Sequence, residues 1–187
     1  MKQPDLFNAA ADYFNSVIEQ VTPAQWDAPT PCDEWNVRQL INHVVVEQFW
    51  VPPLLSGKTI SDVGTSLDGD QLGADPKATW IKALSLSRAA FSQPEAMSGT
   101  VHLSYGDDSV ANYCDQMTLD ALVHGWDLAV AIDTDATLPP DLVAWALELV
   151  APNQELLTAS GMFGTPLDVP DTADSQTRLL AVLGRAS

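Results

Sequence analysis

A sustained helical period constrains this chain more than any other feature. Residues 4–21, PDLFNAAADYFNSVIEQV, bring Leu6, Ala10, Tyr13, Phe14, Val17, Ile18 and Val21 onto one stripe, the pattern of a helix with one buried face. Asn36 opens a second helix, with Gln39 three residues on as its capping-box partner. That helix is expected to run to about Trp50, where Pro52-Pro53 stops it. Asp75-Pro76 sets an N-cap before a proline at the first helical position and starts a third helix that reaches about Phe91. A fourth is expected from about Ser109 to Ile132, and a fifth from near Pro139-Pro140 to near Ser160-Gly161. GTVHLSYGD (99–107) alternates weakly, as a short extended piece or hairpin arm does. Past Pro166 and Pro170 the chain reads as an extended wrap, closed by a short last helix in SQTRLLAVLG (175–184). The succession predicts an all-α fold, a four-helix bundle with an additional C-terminal helix and little or no strand. Residues 1–187 are expected to form a single domain.

Charge narrows the partners. Eight basic residues stand against 25 acidic ones, a formal net charge of −17. Phosphate backbones and anionic membranes require clustered Lys and Arg, so neither nucleic acid nor a membrane surface is an expected partner. No run approaches the roughly 18 apolar residues of a membrane span, and the N-terminus lacks the apolar stretch of a signal peptide. Cys32 and Cys114 make neither a disulfide framework nor a zinc-knuckle spacing, which fits a cytoplasmic protein.

Two stretches carry groups that an apolar helix does not need. In LDALVHGWDLA (119–129), setting Asp120 at zero puts His124 at about 40° and Asp127 at about −20°, since each helical residue advances about 100°. In the second helix His43 flanks the stripe of Val37, Leu40, Ile41, Val44 and Val51, and Glu47 lies within it one turn later. A buried imidazole or carboxylate without a partner is costly. Two facing helices of this kind supply partners to each other, either as buried hydrogen bonds or as ligands of a shared divalent metal, for which imidazole plus carboxylate suits zinc, nickel, iron or manganese.

Residues 56–75, SGKTISDVGTSLDGDQLGAD, hold four glycines and four aspartates with no steady period, the profile of a lid or binding loop. Asp68-Gly69-Asp70 begins like a calcium loop, but Leu72 and Thr79 stand where oxygen ligands belong. His102 is read as outside the site. Cys32 reads as a small buried residue, because nothing beside it in sequence marks an activated thiol. Trp35, Trp50, Trp80 and Trp126 read as core, with Trp50 also placed to line a pocket beside the long loop.

HGWDLAVA after LDALV, PTPCDEWNVRQLINHVV, EQFWVPPLLSGKTISDVGTSLDGDQLGADP (47–76) and RLLAVLGR (178–185) together resemble the DinB/YfiT-like metalloenzymes. Within these the chain is similar to an actinobacterial metal-binding branch related to mycothiol-dependent maleylpyruvate isomerase. The resemblance implies a four-helix core with a three-residue metal site at one end. Matched motif to motif, the ligands fall on His43, Asp120 and His124, with zinc or nickel as the expected ion. It also implies a small-molecule substrate and a low-molecular-weight thiol, mycothiol, as cofactor. The maleylpyruvate isomerases carry a further C-terminal domain that helps build the site, a departure that leaves maleylpyruvate itself outside what the resemblance implies for this chain, while thiol dependence stays within it. On this reading Glu47 orients a ligand or acts as general base, and Asp127 hydrogen-bonds near the site. The class expected is a metal- and thiol-dependent transferase or isomerase, or a hydrolase. The alternative is a non-catalytic metal-binding or small-ligand-binding, stress-related module, and a homodimer is compatible with such a bundle.

Overall fold

The computed structural model describes residues 2–154, 157–158 and 163–186. They fall into two compact units divided after Ala136. The first holds helices α1 (Asp5–Ile18), α2 (Val37–Leu55), α3 (Ile60–Val63), α4 (Pro76–Phe91) and α5 (Val110–Ala131), with strands β1 (Thr100–Leu103) and β2 (Gly106–Ser109).

Local chemistry sets most of these boundaries. Asn36 accepts from the Gln39 amide while the Gln39 side chain accepts from the Asn36 amide, which satisfies two orphan donors at the start of α2. Asp75 caps α4 through the Ala78 amide, and Ser109 caps α5 through the Asn112 amide. The two prolines do not end α2 where the sequence suggests. Pro52 and Pro53 lie inside its last turn, and the helix runs on to Leu55. A proline needs only helical φ and the loss of its own N–H, and the carbonyls of both prolines accept from Ser56, with that of Pro53 also accepting from Lys58. α1 ends at Ile18, three residues before Val21, which is nonetheless buried.

The core is a four-helix arrangement in which α1 packs on α5, α2 on α4, and α2 on α5. α5 is the central element, buried on most sides from Met117 to Ala129. Phe7, Phe14, Leu40, Ile41, Trp80, Phe91 and Leu122 fill the interior, with edge-on and tilted ring pairs at Phe7–Phe91 and Phe14–Trp80. Two polar contacts cross between helices inside it: Trp80 Nε1 donates to Asn15 Oδ1 at 3.0 Å, and Ser87 donates to Gln48 Oε1 at 2.8 Å, while Gln48 Nε2 stays buried without a partner. Residues 99–109 form a small antiparallel hairpin with Thr100 opposite Ser109 and Leu103 opposite Gly106. The long segment 56–75 is less irregular than its composition suggests, since Thr59 and Asp62 build a reciprocal capping box on α3. Among the described residues no helix is long and apolar enough to cross a membrane.

The second unit contains α6 (Pro140–Val150) and α7 (Ser175–Val182), which pack on each other, and Leu142, Val143, Ala146, Leu179 and Leu180 are buried. The expected end of the fifth helix near Ser160-Gly161 lies outside the described residues.

Gly125 sets the approach of α1 to α5. A Cβ there would stand 2.7 Å from the Tyr13 ring and 3.6 Å from the Phe14 Cα. Gly125→Ala is therefore expected to lower stability by about 1–3 kcal/mol through overpacking, as read from the denaturant midpoint. An unchanged midpoint would show that Tyr13 yields freely.

Candidate metal centre

α2 and α5 meet along the faces that carry their polar residues. His43 Nε2 lies 3.1 Å and His124 Nε2 3.4 Å from the same oxygen, Asp120 Oδ1. One nitrogen from each ring and one oxygen of Asp120 lie within 4.8 Å of one another. The other carboxylate oxygen, Oδ2, is buried with no hydrogen-bond partner. Their side chains are 27%, 18% and 12% exposed for His43, Asp120 and His124, so the cluster sits just under the surface and remains reachable. Two imidazole nitrogens, a carboxylate and an unspent buried oxygen fit the donor set of a zinc-like ion.

Glu47 is not in this convergent set, although it is close enough to act on it electrically. Burial pushes its carboxyl up to about 7, with the Asp120 charge adding to the rise and His43 opposing it. Burial works against protonation of His43, but the charge and hydrogen bond of Asp120, with Glu47 behind them, hold its pKa above the ordinary imidazole value. For Asp120 burial acts upward, and the two imidazoles outweigh it, leaving the carboxyl below its usual range. Deeper along α5 the Tyr113 hydroxyl is buried without a partner. Burial, followed by the charges of Glu47 and Asp120, raises it far above the usual phenol value.

Residues of the turn before α2, with Asp127 of α5, brace both rings. Trp35 stacks on His43 with centroids 4.6 Å apart and planes 28° apart, and it also meets His124 at 5.6 Å. Asp127, fully buried, brings Oδ2 to 3.0 Å from His124 Nδ1. Cys32 donates to that same oxygen at 3.3 Å, with its sulfur 3.9 Å from Nδ1. Cys32, His124 and Asp127 thus form a second convergent group behind the first. Cys32, expected as a small buried residue, and Trp35, expected in the core, are both only partly buried and pack against the core while meeting the imidazoles. Both lie outside helices in the Pro-rich turn, where no periodicity reports which way a side chain points.

Segment 56–75 borders the same region. Arg38 forms a two-nitrogen contact with Asp70 Oδ2 at 2.7 and 3.0 Å, and Asn42 donates to the Gly69 carbonyl and accepts from the Gln71 amide. An open groove of about 490 Å³ results, walled by Trp35, Asn42 and His43 on one side and Leu67, Gly69 and Asp70 on the other. Its aromatic is Trp35; Trp50 does not line it. His102 pairs with Asp107 across the hairpin, apart from the cluster.

The comparisons with known proteins agree with this architecture. The profile of the mycothiol maleylpyruvate isomerase N-terminal domain matches residues 7–129. This chain belongs to that family, an actinobacterial DinB-like helical fold. Two uncharacterized proteins of Mycobacterium tuberculosis, from strains CDC 1551 and H37Rv, are each 30% identical over 180 residues, covering 94% of this chain and 93% of theirs. The crystal structure of a His-to-Ala mutant of mycothiol-dependent maleylpyruvate isomerase superposes with a TM-score of 0.64 at 14% identity, over 90% of this chain and 76% of that one. At that identity the likeness is one of fold.

The proton balance of the cluster gives a test. Glu47 and His43 both bind protons more tightly folded than unfolded, so their contribution is complete below the unfolded pKa values. It is lost as pH rises through the folded values, which for Glu47 means from about 4.5 to about 7. Asp120 acts oppositely, and only at lower pH. The metal-free protein is expected to lose stability between pH 5 and pH 8 in thermal melts, and Glu47→Gln to flatten that slope. A slope of opposite sign, or one untouched by Glu47→Gln, would contradict this assignment.

Proposed function

We propose that this protein is a divalent-metal enzyme, a thiol-dependent transferase or isomerase acting on a small molecule. Zinc or nickel would be held by His43, Asp120 and His124. The observation that carries this reading is the convergence of three ligand-type atoms, and no fourth from Glu47, at the border of an open groove. A structural zinc site is normally closed by four protein ligands, whereas a catalytic one keeps a position for substrate or water.

An ion in that position would lower the pKa of a thiol or water beside it. The remaining work falls to the chain itself. Asp127 holds His124 by Nδ1, so that Nε2 is turned toward Asp120. Trp35 covers one face of His43 and fixes its plane. Glu47, poised near 7, can take up or release a proton at neutral pH, as a general base requires. The family to which the chain belongs and the isomerase whose fold it shares are named for mycothiol, which supports mycothiol as the thiol. The −17 charge accords with a small-molecule ligand and opposes nucleic acid.

Metal analysis after dialysis separates this reading from a buried hydrogen-bond network. His124→Ala is expected to abolish stoichiometric zinc or nickel, while Asp127→Asn retains it at saturation with about 10- to 100-fold weaker affinity. Thermal shift with mycothiol is expected to raise the melting temperature of metal-loaded wild type and not that of His124→Ala. Equal metal content in wild type and His124→Ala would refute the metal reading. Metal binding with no response to thiols would refute only the thiol part.

A further inference from the structure

We propose that Cys32 is a positioning residue for His124, acting through Asp127. Its functional consequence rests on the metal reading above; its structural basis is a set of contacts that stands apart from any ion. The Cys32 thiol donates to Asp127 Oδ2 at 3.3 Å, and His124 Nδ1 lies 3.0 Å from that same oxygen. Asp127 is fully buried, so its oxygen depends on such donors in place of water.

The arrangement excludes one obvious role and defines another. In a nucleophilic cysteine dyad the imidazole stands between thiol and carboxylate, with one partner on each ring nitrogen. Here thiol and carboxylate gather at the same nitrogen, Nδ1, while Nε2 faces Asp120. Cys32 is therefore not placed to be activated by His124. It is placed to hold Asp127 at the angle that receives the Nδ1 proton. A neutral imidazole carrying that proton on Nδ1 leaves the Nε2 lone pair directed at the His43–Asp120 cluster.

The backbone around Cys32 is built to keep the sulfur there. Thr30 Oγ1 accepts from the Cys32 amide at 3.1 Å and donates to the Trp35 carbonyl at 2.8 Å, and the Trp35 amide donates to the Cys32 carbonyl at 2.8 Å. The turn is tied to the first turn of α2 by Val37 donating to Ala28 and Arg38 to Trp26, each at 2.9 Å. One closed turn thus delivers Cys32 behind one imidazole and Trp35 onto the other.

Two substitutions separate hydrogen bonding from packing. Cys32→Ser keeps a donor of similar size and Cys32→Ala removes it. In metal-free, nitrogen-15-labelled protein, the His124 ring shifts report the tautomer; competition with a chromophoric chelator reports zinc affinity. Cys32→Ala is expected to move His124 away from the Nδ1–H form and to weaken zinc about 10- to 100-fold, the range seen for residues that orient a ligand. Cys32→Ser is expected to stay close to wild type in both. Wild-type behaviour in Cys32→Ala, or equal impairment of the two variants, would overturn the proposal. So would a sulfur-to-metal charge-transfer band in cobalt-loaded wild type that Cys32→Ser abolishes, since Cys32 would then be a ligand. Absence of zinc binding in wild type would sink the metal reading, and the tautomer measurement would still judge this one.

Discussion

One carboxylate oxygen joins the polar faces of two core helices. Asp120 Oδ1 receives an imidazole from its own helix and another from α2. The interaction is sheltered: burial would drive Asp120 and His43 toward their neutral forms, and the charges facing each of them reverse that tendency. It ties α2 to α5 at the point where both are polar, while Gly125, one residue past His124, lets α1 close in behind. The remaining Asp120 oxygen, buried and unpartnered, is the part of the arrangement that hydrogen bonding within the protein leaves unfinished.

Around that oxygen the supports are layered by rigidity. The innermost groups sit on two long helices, α5 also supplying Asp127 behind His124, and Cys32 and Trp35 come from the turn closed by Thr30. The groove wall is contributed by segment 56–75, clamped to α2 through Arg38 and Asn42. The ligand-type atoms of His43, Asp120 and His124 converge on the parts of the site that the helices hold.

Much of this was legible in the sequence, and the failures have physical causes. The α4 boundaries and the start of α2 could be read because a cap states its own geometry: Asp75-Pro76 and Asn36 with Gln39 each satisfy specific amides. The placement of His43, Asp120 and His124 toward one another followed from helical angles together with the family resemblance. Pro52-Pro53 misled because each proline keeps a helical φ and withdraws one donor, from the Gln48 and Phe49 carbonyls, while the turn still closes through the Ser56 and Lys58 amides on the proline carbonyls. Cys32 and Trp35 were illegible for a different reason. They reach the site from a turn whose path is set by Thr30 and by bonds to Ala28 and Trp26, and nothing in a residue pattern announces such a path.

X-ray absorption of the zinc-loaded protein tests the central claim most directly, since it reads the atoms around the ion without requiring a substrate. A shell of nitrogen and oxygen only is expected, at about 2.0–2.2 Å, with the multiple-scattering signature of two imidazoles. A sulfur scatterer at about 2.3 Å, or a single imidazole, would place the ion in the Cys32–His124–Asp127 group and contradict the assignment to His43, Asp120 and His124.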